Sequence, residues 1–304
     1  MVRKEEQMAE DGRSDADAAR PAHARGVTAR RIVLGTQLRR LREAAGISRA
    51  DAGYVIRASD SKVSRLELGR VAFKERDVND LLTMYGISDA EEREQFLEMV
   101  RMANEPGWWR RYTDVIPSWF QEFVGLEESA ARIHTYELQF VPGLLQTEAY
   151  VRAVLTRGRP DYAPPDTEKR INLRMQRQRL ITGPNPPRLW AVIDESVLHR
   201  PIGGRRAQKE QLEFLLEQSK QPHVTIQVVP NQLSGYAAEG PFQLLRFAEP
   251  ELPDVVYIEH LGGSVMLDGI EEIEIFSRAL DRLTVDAETP DRSRQILAKV
   301  LAEL

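Results

Sequence analysis

The chain of 304 residues contains no cysteine, which excludes disulfide bonds, thiolate metal ligands and cysteine nucleophiles. It also lacks any apolar run of the length, about 20 residues, that a helix needs to cross a bilayer. Segment 1–20 mixes both charges without an apolar stretch, unlike a secretory signal. We therefore expect a cytoplasmic protein without membrane contact, in which residues 1–27 form a polar, disordered tail.

The short motifs that carry catalysis or cofactor binding are missing as well: there is no HExxH, no GxSxG and no phosphate-binding glycine loop. Two histidines lie beside carboxylates, His199 near Asp194 and Glu195, and His260 after Glu259. Isolated pairs of this kind are more often surface or hydrogen-bonded residues than acid–base pairs. The sequence therefore predicts no enzyme, no metal and no cofactor.

Acidic residues outnumber basic ones, and the net charge is −5. The charge is unevenly placed, because residues 25–76 hold 13 Lys and Arg but only 5 Asp and Glu. This segment carries +8 and the remainder −13. A basic module on an acidic body concentrates any attraction for nucleic acid at one end of the molecule.

The stretch Gly46–Arg70, GISRADAGYVIRASDSKVSRLELGR, predicts two short helices joined by a tight turn. Ser48 can cap the first helix, which runs to about Ile56. Ser59 can cap the second, which runs from Asp60 to Leu68 and ends at Gly69.

The second of these helices is amphipathic, with Val63 and Leu66 on its inner side. Its outward residues are polar and partly basic: Asp60, Ser61, Lys62, Ser64 and Arg65. Such a helix suits readout in the DNA major groove. The alternative is an ordinary helical hairpin with a solvated face.

Residues Ile32 to about Ile87 resemble the helix-turn-helix domain of the phage-repressor (Cro/C1, or XRE) class. The first helix, IVLGTQLRRLREAAG, has apolar residues on one side and Arg39, Arg40 and Arg42 outside, and it leads into G-I-S. The resemblance implies a homodimer that reads a pseudo-palindromic operator in double-stranded DNA. The residues implied for base reading are Asp60, Ser61 and Arg65, and those implied for phosphate binding are Arg49, Lys62, Ser64 and Arg70.

Three residues depart from the pattern of that class. Gly53 and Tyr54 stand where alanine and a charged residue are commoner, and because glycine costs about 1 kcal/mol inside a helix, we expect a first helix that is marginal alone. Asp60 would be repelled by phosphates. It is tolerable as a charge at a helix N-terminus or as an acceptor for a cytosine amino group.

Further helices are predicted at Val78–Tyr85 and from Ser88-Asp89 to about Asn104. An aromatic segment follows Pro106, GWWRRYTDVIPSWF. Aromatic residues interleaved with arginine can form a stacking platform for single-stranded nucleic acid, but they more often form a core between domains. We favour the core.

The segment FVGLEESAARIHTYELQFVPGLLQTEAYVRAVL is predicted as a helix, a Pro-Gly break and a second helix. The break at Pro142-Gly143 could enclose a small effector or receive a partner. A basic helix, Thr167–Ile181, comes next, with Ile171, Met175 and Leu180 on a narrow apolar edge. Its arginines could contact DNA or a membrane, although a solvated face is favoured.

The C-terminal part changes to short β-branched and aromatic runs, at 188–195, 223–230, 241–247 and 254–261. Helices are predicted at Gly204–Lys220, about Gly269–Val285 and Pro290–Leu304. The fold class is therefore multidomain: an all-α helix-turn-helix domain followed by an α+β domain with a mixed sheet of four or five strands.

Several motifs of this half, in order, resemble the C-terminal domain of actinobacterial Scr1-type, antitoxin-like regulators: VPGLLQTEAYVRAVL, RLWAVIDESVLHRPIGG, QPHVTIQVVP, GPFQLLRF and DVVYIEHLGGSVMLD. The resemblance implies a regulatory setting and a small partner protein encoded nearby. An alternative function follows, in which the chain sequesters that partner and autoregulates its operon. We divide the chain into the tail 1–27, a helix-turn-helix domain 28–88, a helical and aromatic connector 89–124, and a regulatory or partner-binding domain 125–304.

Overall fold

A computed structural model of the protein describes residues 29–158, 162–232, 240–249 and 252–304. The predicted disordered tail, 1–27, lies outside these ranges. No helix within them is long and apolar enough to cross a membrane.

Five helices form the N-terminal region: α1 (Ala29–Ala44), α2 (Arg49–Val55), α3 (Asp60–Glu67), α4 (Glu75–Met84) and α5 (Ala90–Asn104). They enclose one apolar core, to which α1 contributes Leu34 and Leu38 and α3 contributes Val63 and Leu66. Helix α5 lies in the same core, whereas the first turn of α1 packs elsewhere, with Ala29 buried in the core of the C-terminal region. Helix α1 thus belongs to both cores.

The aromatic segment after α5 forms a short 3₁₀ helix, Trp108–Tyr112, followed by α6 (Ser118–Ser129). Trp109 and Tyr112 are buried in the C-terminal core. On α6, the ring of Phe123 stacks on that of Tyr257 at 3.9 Å. The structure agrees with the favoured interpretation, because buried rings offer no platform for nucleic-acid bases.

The C-terminal region holds six described strands: β1 (Arg132–Glu137), β2 (Arg188–Asp194), β3 (Val224–Val229), β4 (Phe242–Arg246), β5 (Val255–His260) and β6 (Gly263–Leu267). They form one mixed sheet in the order β3-β2-β1-β4-β5-β6. The first three strands are parallel, and β4, β5 and β6 are antiparallel to their neighbours.

The mixed α+β fold is as predicted, but two strands were missed. The segment that becomes β1 was predicted as part of a helix. As a strand it is stabilised by pairing with both β2 and β4, which are distant in sequence. Strand β6 begins at Gly263, where the sequence suggested only a turn. It is an edge strand held by β5 alone.

Helices cover both faces of the sheet. They are α7 (Glu148–Gly158), α8 (Pro164–Thr182), α9 (Glu195–His199), α10 (Arg205–Gln218), α11 (Ile270–Asp286) and α12 (Pro290–Ala302). Leu212 of α10 and Leu297 of α12 pack on one face with Ile193 of β2. Leu283 of α11 packs on the other face with Val192. The result is three layers with the sheet in the middle.

The basic helix α8 presents the expected solvated face only in part, because Lys169 and Arg179 are exposed whereas other arginines turn inward. The guanidinium of Arg177 is buried and donates two hydrogen bonds of 2.8 Å to the carboxylate of Glu127. Arg174 donates to Gln146 Oε1 at 3.0 Å. Arg177 points inward because Glu127 of α6 supplies a buried carboxylate. A partner on another element cannot be read from the sequence of α8.

The same polar interior contains Glu137, at the end of β1. Burial and the neighbouring carboxylate of Glu259 raise the pKa of Glu137 from 4.5 to about 8, against the opposing effect of Arg174. Between these two values the folded protein keeps a proton that the unfolded chain has released. The free energy of unfolding therefore falls as the pH rises through this range, by up to about 1.4 kcal/mol per pH unit for one proton.

The substitution Glu137→Gln should remove this contribution, because glutamine cannot ionise. Urea denaturation at about pH 6 and about pH 9 should show a smaller loss of stability in this variant than in the wild type. The exposed Glu213→Gln on α10 serves as the matched control and should keep the wild-type pH dependence. A variant Glu137→Gln with the same pH dependence as the wild type would show that this carboxyl is not protonated in the folded state.

Candidate nucleic-acid interface

Both predicted caps of the helix pair α2–α3 are present. The hydroxyl of Ser48 accepts a hydrogen bond from the amide of Asp51 at 3.1 Å, and that of Ser59 accepts one from the amide of Lys62 at 3.3 Å. Between the helices, Arg57 has a positive φ of 54°, which lets the chain reverse in few residues. The local sequence therefore produces the bend that was predicted.

The turn also explains why Gly53 stands in α2. A Cβ at this position would lie 2.6 Å from the carbonyl oxygen of Ala58, and the amide of Ala58 donates to the carbonyl of Gly53 at 2.8 Å. Glycine allows the turn to fold back onto α2. Its low helix propensity is thus offset by a close backbone approach.

Helix α3 presents one polar face to solvent. Asp60, Ser61 and Arg65 are exposed, and Lys62 and Ser64 are partly exposed. Asp60 and Ser64 lie four positions apart, as do Ser61 and Arg65, so these four residues are neighbours on one side of the helix. The side chain of Arg65 lies along the helix surface, with Nε donating to the carbonyl of Ser61 at 3.3 Å.

Two of the predicted phosphate contacts have acidic partners. Arg49 Nε lies 3.1 Å from Asp60 Oδ1, and its Nη1 donates to Ser64 Oγ at 3.4 Å. Lys62 Nζ lies 3.6 Å from Asp77 Oδ2. The charge of Asp60, which would repel phosphates, is therefore balanced by Arg49.

A concave surface of about 490 Å³ lies between α1, α2 and α3, and Arg39, Arg49 and Ser64 line it. Sequence reasoning did not single out Arg39 as a functional residue. No local pattern could identify it, because it reaches this surface only through the packing of α1. Arg70, the remaining predicted phosphate contact, lines a cleft between the N-terminal helices and the sheet.

Arg42, expected on the outside of α1, is buried, and this expectation is corrected. Arg42 Nε and Nη2 donate to the two carboxylate oxygens of Glu67 at 2.5 and 3.0 Å, and Nη1 donates to the carbonyl of Ile47 at 2.8 Å. The hydrogen bond with Glu67 raises the pKa of Arg42. The pair ties α1 to the end of α3.

The histidine–carboxylate neighbours serve local structure. His199 Nε2 lies 3.4 Å from Glu195 Oε1 at the surface, while Asp194 caps α9. His260 Nδ1 accepts a hydrogen bond from the amide of Gly262 at 3.2 Å. Within the described ranges, no three His, Asp or Glu side chains are grouped so as to hold a metal ion.

Around Pro142, where the sequence suggested a pocket, Val141, Leu144 and Leu145 are buried in the core.

Comparison with protein families gives two matches. Residues 33–96 match a helix-turn-helix domain, and residues 120–299 match a family described as a domain of unknown function (DUF5753). The second match spans more than half of the chain. The chain belongs to the DUF5753 family. No curated protein and no solved structure matches it significantly.

The helix-turn-helix match indicates a DNA-binding regulator. The match to the helix-turn-helix family begins in α1 and ends in α5. It therefore includes the whole of α2 and α3, with the exposed polar face and both caps.

The substitution Arg42→Met should leave the Glu67 carboxylate buried without a partner, a change that costs about 3–5 kcal/mol. Urea denaturation should show this loss in the free energy of unfolding. The matched control is Arg39→Met, which removes an exposed pair with Glu43 and should cost less than about 1 kcal/mol.

The double variant Arg42→Met/Glu67→Met removes both charges of this pair and should recover much of the lost free energy of unfolding. Equal stability of the Arg42→Met and Arg39→Met variants would show that the buried pair does not hold α1 against α3.

Proposed function

We propose that the protein is a sequence-specific DNA-binding transcriptional regulator of the phage-repressor (XRE) class, acting as a homodimer. The observation that carries the proposal is the exposed polar face of α3, presented by a capped helix pair inside a helix-turn-helix match. In this class α3 enters the major groove, and a dimer places two such helices about 34 Å apart.

Within this proposal, Asp60, Ser61 and Arg65 read base edges. Arg65 donates two hydrogen bonds to the O6 and N7 atoms of a guanine, the commonest specific contact of an arginine. To do so its side chain leaves the carbonyl of Ser61 and extends into the groove. Asp60 accepts a hydrogen bond from a cytosine amino group, with Arg49 balancing its charge.

Arg49, Lys62 and Ser64 hold backbone phosphates and set the position of α3. Arg39 joins this set, because it lines the same concave surface as Arg49 and Ser64. The charge distribution supports the arrangement: the +8 segment contains α1, α2 and α3, whereas the acidic remainder repels DNA from the rest of the protein.

The DUF5753 domain is, in this proposal, the regulatory part of a protein of the Scr1 type. The alternative, an antitoxin-like protein that sequesters a small partner, has one supporting observation: Leu261, Ile270 and Val285 are more than 80% exposed on this domain. Apolar side chains so exposed can serve a protein contact. Co-purification of the full chain with the products of adjacent genes would favour the alternative.

The substitution Arg65→Ala should weaken binding to a sequence selected by the wild-type chain by about 1–3 kcal/mol and relax its preference at one base position. Binding to random DNA should change little. Lys62→Ala should instead weaken binding to both DNAs. It should also reduce, by about one, the slope of the logarithm of the binding constant against the logarithm of the salt concentration. Fluorescence anisotropy with both DNAs at several salt concentrations measures each quantity.

The matched control is Arg206→Ala, which removes an exposed arginine of α10 in the DUF5753 domain and should bind both DNAs as the wild type does. If Arg65→Ala loses affinity equally for selected and random DNA, Arg65 contacts phosphate and does not read a base.

A further inference from the structure

A cleft of about 490 Å³ separates the helix-turn-helix region from the DUF5753 domain. Its volume falls in the range of small-molecule sites, which occur preferentially between domains. One wall comes from α1 and from Leu68 and Arg70, directly after α3. The other comes from α6, the sheet and the loop before β5.

The wall formed by the DUF5753 domain is mainly apolar. Leu126, Phe247, Leu252, Val255 and Met266 line it. On the opposite wall, Leu68 is 44% exposed, although it directly follows a helix whose other leucine is buried. An apolar ring system or chain would be held between Leu68 and this wall.

The charged residues of the cleft are mostly engaged by protein groups. Glu67 is held by Arg42, and Glu43 by Arg39. Arg40 and Glu122 also have interacting neighbours. Within the described residues, the side chains of Arg70 and Asp268 make no hydrogen bond or ion pair.

Arg70 therefore offers a free guanidinium beside an apolar wall, which suits one carboxylate, sulfonate or phosphate group. The carboxylate of Asp268 would repel a second anionic group on the same ligand. It can accept a hydrogen bond from a donor group of the ligand.

The wall that carries Arg70 is rigidly joined to α3. A Cβ on Gly69 would lie 2.7 Å from the backbone of Arg31, and one on Gly35 would lie 2.5 Å from the carbonyl of Glu67. Helices α1 and α3 thus touch through their backbones and move as one body. A ligand held between Arg70 and the DUF5753 domain would therefore contact the same helix pair that carries the polar face of α3.

We propose that the cleft binds a small amphiphilic molecule with an apolar body and a single anionic group held by Arg70, and that its occupancy alters DNA binding. The second part rests on the proposed function, since the spacing of two α3 helices in a dimer depends on how each is held by its own DUF5753 domain. The first part does not depend on DNA.

The test of the first part uses 8-anilinonaphthalene-1-sulfonate, a fluorescent probe with an aromatic body and one sulfonate. The full wild-type chain should bind it saturably at one site. Arg70→Gln should weaken this binding about tenfold, the effect of losing one charge-assisted hydrogen bond. Leu68→Trp, which fills the cleft from an exposed position, should abolish it.

The matched controls are Arg206→Gln and Ile275→Trp, which introduce the same residues at exposed positions of α10 and α11, and both should bind the probe as the wild type does. Circular dichroism should show the same thermal unfolding for all variants. The absence of saturable binding, or binding that Arg70→Gln and Leu68→Trp leave unchanged, would overturn the proposed site.

The test of the second part measures the affinity for a selected DNA with and without saturating probe. A change of at least about fivefold is expected in the wild type and none in Leu68→Trp. An unchanged affinity in the wild type would overturn the coupling and leave the site standing. If the chain binds the probe but binds no DNA, the proposed function is refuted and the proposed site is not.

Discussion

The ion pair between Arg42 and Glu67 fixes the position of α3. The guanidinium of Arg42 also donates to the carbonyl of Ile47. One buried side chain therefore joins α1, the segment before α2 and the end of α3. Since α1 begins in the core of the DUF5753 domain with Ala29, the orientation of the DNA-binding face relative to the rest of the protein depends on this contact. Breaking the pair leaves a buried charge without its partner, which is far costlier than losing a surface pair.

The helices of the DNA-binding region could be predicted because their signals are local. Ser48, Ser59 and Asp89 cap the helices that follow them, and Gly69 ends α3 with a positive φ of 66°. Capping depends on residues within one turn, so the sequence contains it in full. The exposed face of α3 was predicted for the same reason, since Val63 and Leu66 define its inner side.

What could not be predicted depends on distant partners. Strand β1 is stabilised by β2 and β4, and Arg177 is buried because Glu127, 50 positions earlier, supplies a carboxylate. Arg42 was placed outside by the same reasoning, which assigns charged residues to the solvent. The interdomain cleft is a further case, because its two walls come from parts of the chain that share no sequence pattern.

The proposed regulatory function depends on α3 reading DNA sequence, and selection from random-sequence DNA with the full chain tests this most directly. We expect enrichment of a pseudo-palindrome whose half-sites lie about 10 base pairs, or a multiple of that spacing, apart. A variant with alanine at positions 60, 61 and 65 should not enrich this sequence. Enrichment of no sequence by the wild type, or of the same sequence by both proteins, would show that α3 does not read DNA sequence.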